Sequence, residues 1–168
     1  MQESFFSADG EPLRRLQVLL AEDDPTHADV ATWVLRGIEC RVRVVTDGAT
    51  ASMMAKRDAF DLIFMDCRMP VMDGLEATRS IRAWEVALSR PRTPIVAMTA
   101  SVMPNQVQRY LDCGMDDVLP KPIVFEDLAR MVSTWTRRRR SASTAMDDLS
   151  NIERRRAPAA LLPLPSEC

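Results

Sequence analysis

The chain of 168 residues contains one histidine and four cysteines, and none of these fall into a metal-binding spacing. Cys40, Cys67, Cys113 and Cys168 include no Cys-x-x-Cys pair, and His27 alone supplies no partner set for zinc. A disulfide framework and a structural zinc are therefore not expected, and a reduced, cytoplasmic setting is. No apolar run approaches the roughly 18 residues that span a bilayer, so no membrane span is expected. Met1 to Gly10 has neither a positively charged start nor a long apolar stretch, which argues against a secretory signal. No glycine-rich phosphate loop follows the first apolar run; Glu22-Asp23-Asp24-Pro25 stands there instead. That speaks against a dinucleotide-binding enzyme.

What remains is ordinary globular composition, 46% apolar and 27% charged, enough to bury a core without staples. The net charge is −2, but it is unevenly placed. Residues 16–136 hold 17 acids against 13 bases, while residues 137–168 hold 7 bases against 4 acids. A mildly acidic body is a poor nucleic-acid surface, and only the basic tail argues otherwise.

Short apolar runs alternate with helix-length segments. The runs are Leu16–Leu20, Val42–Val45, Leu62–Met65, Ile95–Met98 and Val118–Leu119. They are too short for helices and several are β-branched, so they predict buried strands. Between them lie stripes at helical spacing. These are Val30, Trp33 and Val34; Ala77, Ile81, Trp84 and Leu88; Met103, Val107, Tyr110 and Leu111; and Phe125, Leu128, Val132 and Trp135. Trp33, Trp84 and Trp135 are expected to be packing anchors. Asp24-Pro25, Asp47-Gly48 and Asp73-Gly74 mark helix starts, and Gly37 and Gly114 mark helix ends. Five strands alternating with five helices predict an α/β fold, a doubly wound parallel sheet with helices on both faces. The expected organisation is an extension over 1–14, one domain over 15–137, and a flexible basic tail over 138–168 that contains proline, serine and alanine.

In such a sheet, ligands bind beyond the carboxyl ends of the strands, at the point where strand order reverses. The first strand runs into Glu22, Asp23 and Asp24, the third into Asp66, the fourth into Thr99 and the fifth into Lys121. The second runs only into Thr46 and Asp47, which places it to one side. Two carboxylates about 5 Å apart repel by roughly 3 kcal/mol at an effective dielectric near 20, so this rim calls for a cation. Hard oxygen ligands at an open rim favour Mg2+. A carboxylate beside that ion can attack a phosphoryl group, while a lysine and a hydroxyl bind the remaining oxygens.

The pieces LLAEDDP at 19–25, LIFMDCRMPVMDGLEATRSIR at 62–82, TPIVAMTA at 93–100 and CGMDDVLPKP at 113–122 resemble the receiver domain of two-component response regulators. The likeness covers roughly residues 15–136 and is closest in wording to receivers of hybrid histidine kinases or stand-alone regulators. It implies a flavodoxin-like sheet of order 2-1-3-4-5. By resemblance, Asp66 is the phosphoacceptor. Glu22 and Asp23 are the acidic pair that holds Mg2+, with Asp23 the direct ligand. Arg68 lends its backbone carbonyl to the metal. Thr99 is the switch hydroxyl and Lys121 the cation beside the phosphoryl group, with a cis bond to Pro122. The implied partners are a histidine kinase or histidine phosphotransfer protein and a downstream effector protein. The implied function is a phosphorylation-controlled switch rather than a turnover enzyme.

One departure stands out. Three residues before the lysine the family often carries Tyr or Phe, and here stands Val118. It leaves room for a receiver-like module that binds without phosphorylation. A haloacid-dehalogenase-like phosphatase would need a second aspartate two residues after Asp66, and Arg68 occupies that place. Asp24 and Asp73 fit helix caps better than metal ligands. His27 fits a partly exposed helix residue, Cys67 a core residue, and Pro70 and Gly74 a shaped loop.

Overall fold

The β-branched, apolar runs form five parallel strands: β1 (Gln17–Ala21), β2 (Arg41–Val45), β3 (Leu62–Asp66), β4 (Ile95–Thr99) and β5 (Asp117–Pro120). These come from a computed structural model that describes residues 15–135. The expected extension over 1–14 and the tail over 138–168 lie outside the described residues. Four complete helices separate the strands: α1 (Pro25–Gly37), α2 (Gly48–Arg57), α3 (Gly74–Ala87) and α4 (Pro104–Asp112). A fifth, α5, is described over 125–135.

The strands pair in the order β2-β1-β3-β4-β5. The register sets Val18 beside Leu62, Ile63 beside Ile95 and Val96 beside Asp117. All five residues of β3 and of β4 are buried, because parallel strands in the middle of a covered sheet meet helices on both faces. Alternation along each strand sorts the side chains. Leu19, Ile63 and Met65 pack with Ala51, Ala77, Ile81 and Tyr110 from α2, α3 and α4. Val18, Leu20 and Phe64 pack with Val34 and Leu35 of α1 and Leu128 and Val132 of α5. Each fully buried side chain of this size contributes roughly 1.5–3 kcal/mol.

The helix starts follow the sequence signals. Asp24 accepts from the His27 N–H at 3.0 Å, Asp47 from the Thr50 N–H at 2.8 Å, and Asp73 from the Glu76 N–H at 2.7 Å. Each cap satisfies a backbone donor that the first helical turn leaves open; Asp24 and Asp47 follow strands closely, and Asp73 closes the loop after β3.

The helical stripes overstate the packing. Trp33 is 75% exposed and is no anchor; Val30, Leu88, Met103 and Leu111 are also exposed. The buried face of α1 is Ala28, Ala31, Val34 and Leu35, and Val30 and Trp33 stand on the opposite, solvent-facing side of the same turns. Trp84 is half-buried and lies under the Arg90 guanidinium, 5.5 Å from the ring centroid. Trp135 does pack against the core cluster of α1 and α5.

A polar knot that the sequence pattern did not announce ties α3 to β4 and β5. Arg82 donates from Nε to the Gly114 carbonyl at 2.8 Å and from Nη1 to Glu85 Oε2 at 2.6 Å. It also donates from Nη1 to the Thr93 carbonyl at 2.9 Å and from Nη2 to Asp116 Oδ2 at 2.7 Å. Glu85, buried on α3, accepts from the Thr93 N–H at 2.8 Å. Gly114 turns the chain into β5 at φ 106°, a backbone conformation that side chains resist.

Candidate functional site

Strand order reverses between β1 and β3, and the carboxyl ends of both strands carry acids there. Glu22 follows β1 directly and is held by its N–H, which donates to the Val45 carbonyl at 2.9 Å. Asp66 is the last residue of β3, and Thr99 the last of β4. Lys121 follows β5, its N–H donating to the Thr99 carbonyl at 2.7 Å. Four strands thus deliver one polar residue each to one rim, with Asp23 beside Glu22. A cavity of about 560 Å³ opens at this rim, and Glu22, Asp23, Asp66, Arg68, Thr99 and Lys121 all line it.

Glu22, Asp66 and Thr99 are buried, and Asp23 faces solvent. Lys121 Nζ donates to Asp66 Oδ2 at 2.6 Å and to Glu22 Oε1 at 2.8 Å. It also lies 2.7 Å from Glu22 Oε2, but at an angle that makes no hydrogen bond, so this buried oxygen has none. Asp66 Oδ1 accepts from the Arg68 N–H at 3.0 Å. Burial pushes the Glu22 carboxyl above its usual range; the Lys121 hydrogen bond opposes this and the Asp66 charge adds to it. Burial alone would lower Lys121, but its hydrogen bonds to Asp66 and Glu22 outweigh that and hold the ammonium more firmly protonated.

One oxygen each from Glu22, Asp23 and Asp66 lie within 4.8 Å of one another. Three carboxylates, one of them carrying a buried oxygen without a hydrogen bond, fit a hard divalent cation. Lys121 is a single positive charge facing two carboxylates and does not neutralise the cluster.

The loop after Asp66 is shaped by backbone needs. The Gly74 N–H donates to the Cys67 carbonyl at 3.4 Å, and a Cβ on Gly74 would overlap the Asp66 carbonyl oxygen. Val71, 88% exposed, holds φ 68°. A β-branched residue there carries strain of about 1–2 kcal/mol. The Lys121–Pro122 bond is cis, as the resemblance implied.

Two features escaped the sequence reading. His27 Nδ1 lies 3.4 Å from Glu22 Oε1, at the mouth of the cavity. The short separation of five residues between a strand-end acid and the first helical turn is the only sequence signal of that nearness. Tyr110 Oη lies 3.0 Å from Thr99 Oγ1, inside the core. Its place in the apolar stripe of α4 marks it as core and gives no sign of this contact.

A doubly wound sheet that gathers carboxylates, a hydroxyl and a lysine at its switch point is the architecture of phosphoacceptor signalling domains. Residues 18–133 match the response regulator receiver domain family, and the chain belongs to it. It is 41% identical over 129 residues to the sensor protein GacS of Pseudomonas syringae pv. syringae, covering 76% of this chain and 14% of that protein. It is 39% identical over 111 residues to the transcription factor SKN7 of Saccharomyces cerevisiae, covering 66% of this chain and 17% of that protein. The chain therefore spans a small part of these relatives. Among solved structures, the receiver domain of a sensor histidine kinase from Pseudomonas aeruginosa PAO1 aligns with a TM-score of 0.66 at 40% identity. That alignment covers 73% of this chain and 98% of that one, which holds a magnesium ion in its active-site cleft. The receiver domain of Ssk1 from Saccharomyces cerevisiae, in complex with the phosphotransfer protein Ypd1, aligns with a TM-score of 0.67 at 29% identity, covering 72% and 88%.

Proposed function

We propose that Asp66 accepts a phosphoryl group from a partner phosphohistidine and that the chain acts as the resulting switch. The observation that carries this reading is the placement of Asp66. One carboxylate oxygen is held by the Arg68 N–H and the other by Lys121, at the floor of an open cavity. In the transfer, an Asp66 oxygen forms a bond to phosphorus as the phosphorus–nitrogen bond of the donor histidine breaks. The imidazole leaves with the nitrogen's electron pair. Lys121 stays beside the group, and the Thr99 hydroxyl faces another of its oxygens.

Glu22, Asp23 and Asp66, with the Arg68 carbonyl, are the residues that would hold Mg2+. When bound, that ion supplies charge neutralisation for the phosphoryl oxygens. Glu22 is buried and anchored by Lys121, so Asp23 is the freer ligand.

The domain turns over no external substrate; it promotes its own phosphorylation and dephosphorylation. A histidine kinase or a histidine phosphotransfer protein supplies the group, and an effector protein answers to the altered surface. The likeness to receivers of sensor kinases, and to one seated on a phosphotransfer protein, supports this choice of partners. The cytoplasmic setting belongs to the same proposal, supported by three buried free thiols at Cys40, Cys67 and Cys113. We further propose the domain limits 15–137, with 1–14 and 138–168 as flanking segments.

The test is intact mass after incubation with acetyl phosphate and Mg2+. One hydroxylamine-sensitive phosphoryl adduct is expected on the wild type, and none on Asp66→Asn or after EDTA. The absence of any adduct on the wild type would overturn the phosphoacceptor role.

A further inference from the structure

Thr99 ends β4 with its hydroxyl already engaged. Oγ1 accepts from the Ser101 N–H at 3.1 Å. It donates to the Ser101 carbonyl at 3.4 Å, a long bond. Tyr110 Oη lies 3.0 Å away, and either hydroxyl has the reach to donate. A hydroxyl has one proton and two lone pairs. The Thr99 proton thus has two acceptors in reach, the Ser101 carbonyl at 3.4 Å and Tyr110 Oη at 3.0 Å, and the Tyr110 hydroxyl in turn reaches the Cys67 thiol or Thr99 Oγ1.

That arrangement is poised in one direction. A phosphoryl oxygen on Asp66 is a strong, charged acceptor that draws the Thr99 proton to itself. Once that proton is taken, the Thr99–Tyr110 bond is kept only with the Tyr110 hydroxyl as donor and Thr99 Oγ1 as acceptor. Tyr110 is 6% exposed and sits among Ile81, Ala97 and Met115 in the core cluster. Burial pushes its hydroxyl above the ordinary tyrosine range, which keeps the proton on it at physiological pH. Its backbone is fixed in α4, where its carbonyl accepts from the Cys113 thiol at 3.0 Å. A pull on the ring is thus a pull on the helix. Met103 and Leu111 at the two ends of that helix are exposed apolar residues. Val118 packs against the same cluster and offers no hydroxyl.

We propose that Tyr110 of α4 positions the Thr99 hydroxyl for the phosphoryl group and carries the movement of Thr99 into α4. This rests on Asp66 being the phosphoacceptor. The Thr99–Tyr110 bond makes α4 itself the moving part, with no ring on β5 required.

The sequence provides a direct probe, since Tyr110 is the sole tyrosine of the chain. The full chain labelled with 3-fluorotyrosine gives a single fluorine resonance. It is incubated with acetyl phosphate and Mg2+ and followed by fluorine NMR and intact mass in parallel. The expected result is an adduct and a displaced resonance in the wild type, and neither in Asp66→Asn. An adduct with an unmoved resonance overturns the relay and leaves the phosphoacceptor role standing. No adduct overturns that role, and the relay with it.

A second variant, Tyr110→Phe, keeps the ring and removes the bond to Thr99. At equal adduct occupancy, the phosphorylation-induced change in amide exchange across residues 104–112 is expected to be lost. Its persistence at wild-type size would overturn the relay. If Tyr110→Phe does not fold, the fluorine experiment decides alone.

Discussion

Lys121 Nζ stands 2.8 Å from Glu22 Oε1 and 2.7 Å from Glu22 Oε2, and hydrogen-bonds only the first. The lysine also serves Asp66, so neither carboxylate has it alone. One ammonium shared between two carboxylates balances the buried Glu22 charge only in part, at a cost in stability of the metal-free domain.

That cost has a defined pH dependence. The folded-state pKa of Glu22 is raised above its ordinary value of 4.5, chiefly by burial. The folded state therefore holds this proton more tightly than the unfolded chain. The associated stability is fully present below about pH 4.5 and is lost as pH rises through the raised folded value. Glu22→Gln, which never ionises, is expected to melt a few degrees above wild type in EDTA at pH 7–8. The difference should shrink as the pH approaches 4.5. Calorimetry of both proteins across that range checks it, and the same variant should gain less than wild type from added Mg2+.

Arg82 is the centre of the knot between α3, β4 and β5. Its guanidinium pairs with Glu85 and Asp116, which are 5% and 13% exposed at their side chains. Arg82→Met keeps most of the volume and strands the Glu85 carboxylate in the interior. Loss of one partner from a buried pair costs about 3–5 kcal/mol. Asp116 retains Arg92 and the Ile95 N–H, so the lower end of that range is expected. Urea unfolding measures it, and Glu85→Gln in the Arg82→Met background should recover part of the loss.

Gly74 touches the site through its backbone. A Cβ there would overlap the Asp66 carbonyl oxygen and press on the Met65 side chain. Gly74→Ala must therefore push α3 away from the end of β3, and overpacking of this kind costs about 1–3 kcal/mol. Because the clash falls on the carbonyl of Asp66 itself, phosphorylation by acetyl phosphate should slow more than the thermal midpoint alone would suggest. Initial rates measured well below the melting range separate the two effects.

The sequence carried the site farther than it carried the packing. Glu22, Asp66, Thr99 and Lys121 were legible because each follows a short buried strand, and parallel strands deliver their carboxyl ends to one rim. The caps Asp24, Asp47 and Asp73 were legible from a different local signal, an aspartate followed by Pro or Gly ahead of a helical segment. Trp33 was misjudged because three apolar residues at helical spacing do not fix which face is buried: small Ala28 and Ala31, with Val34 and Leu35, cover the sheet, and Trp33 points away from it. The pairing of Arg82 with Asp116 spans 34 residues, and no local pattern links them. Tyr110 was hidden by its own chemistry: a tyrosine in an apolar stripe looks like core, and its hydroxyl finds Thr99 only once α4 is folded onto β4.

The order of the sheet also governs self-association. Its outer strands are β2 and β5. Along β2, Arg41 and Arg43 are exposed, and β5 ends at Pro120, which has no N–H to offer. Charged side chains on one rim and a missing donor on the other discourage a further strand from adding to either margin. The two margins of the described sheet are thus poor templates for strand addition by a second copy.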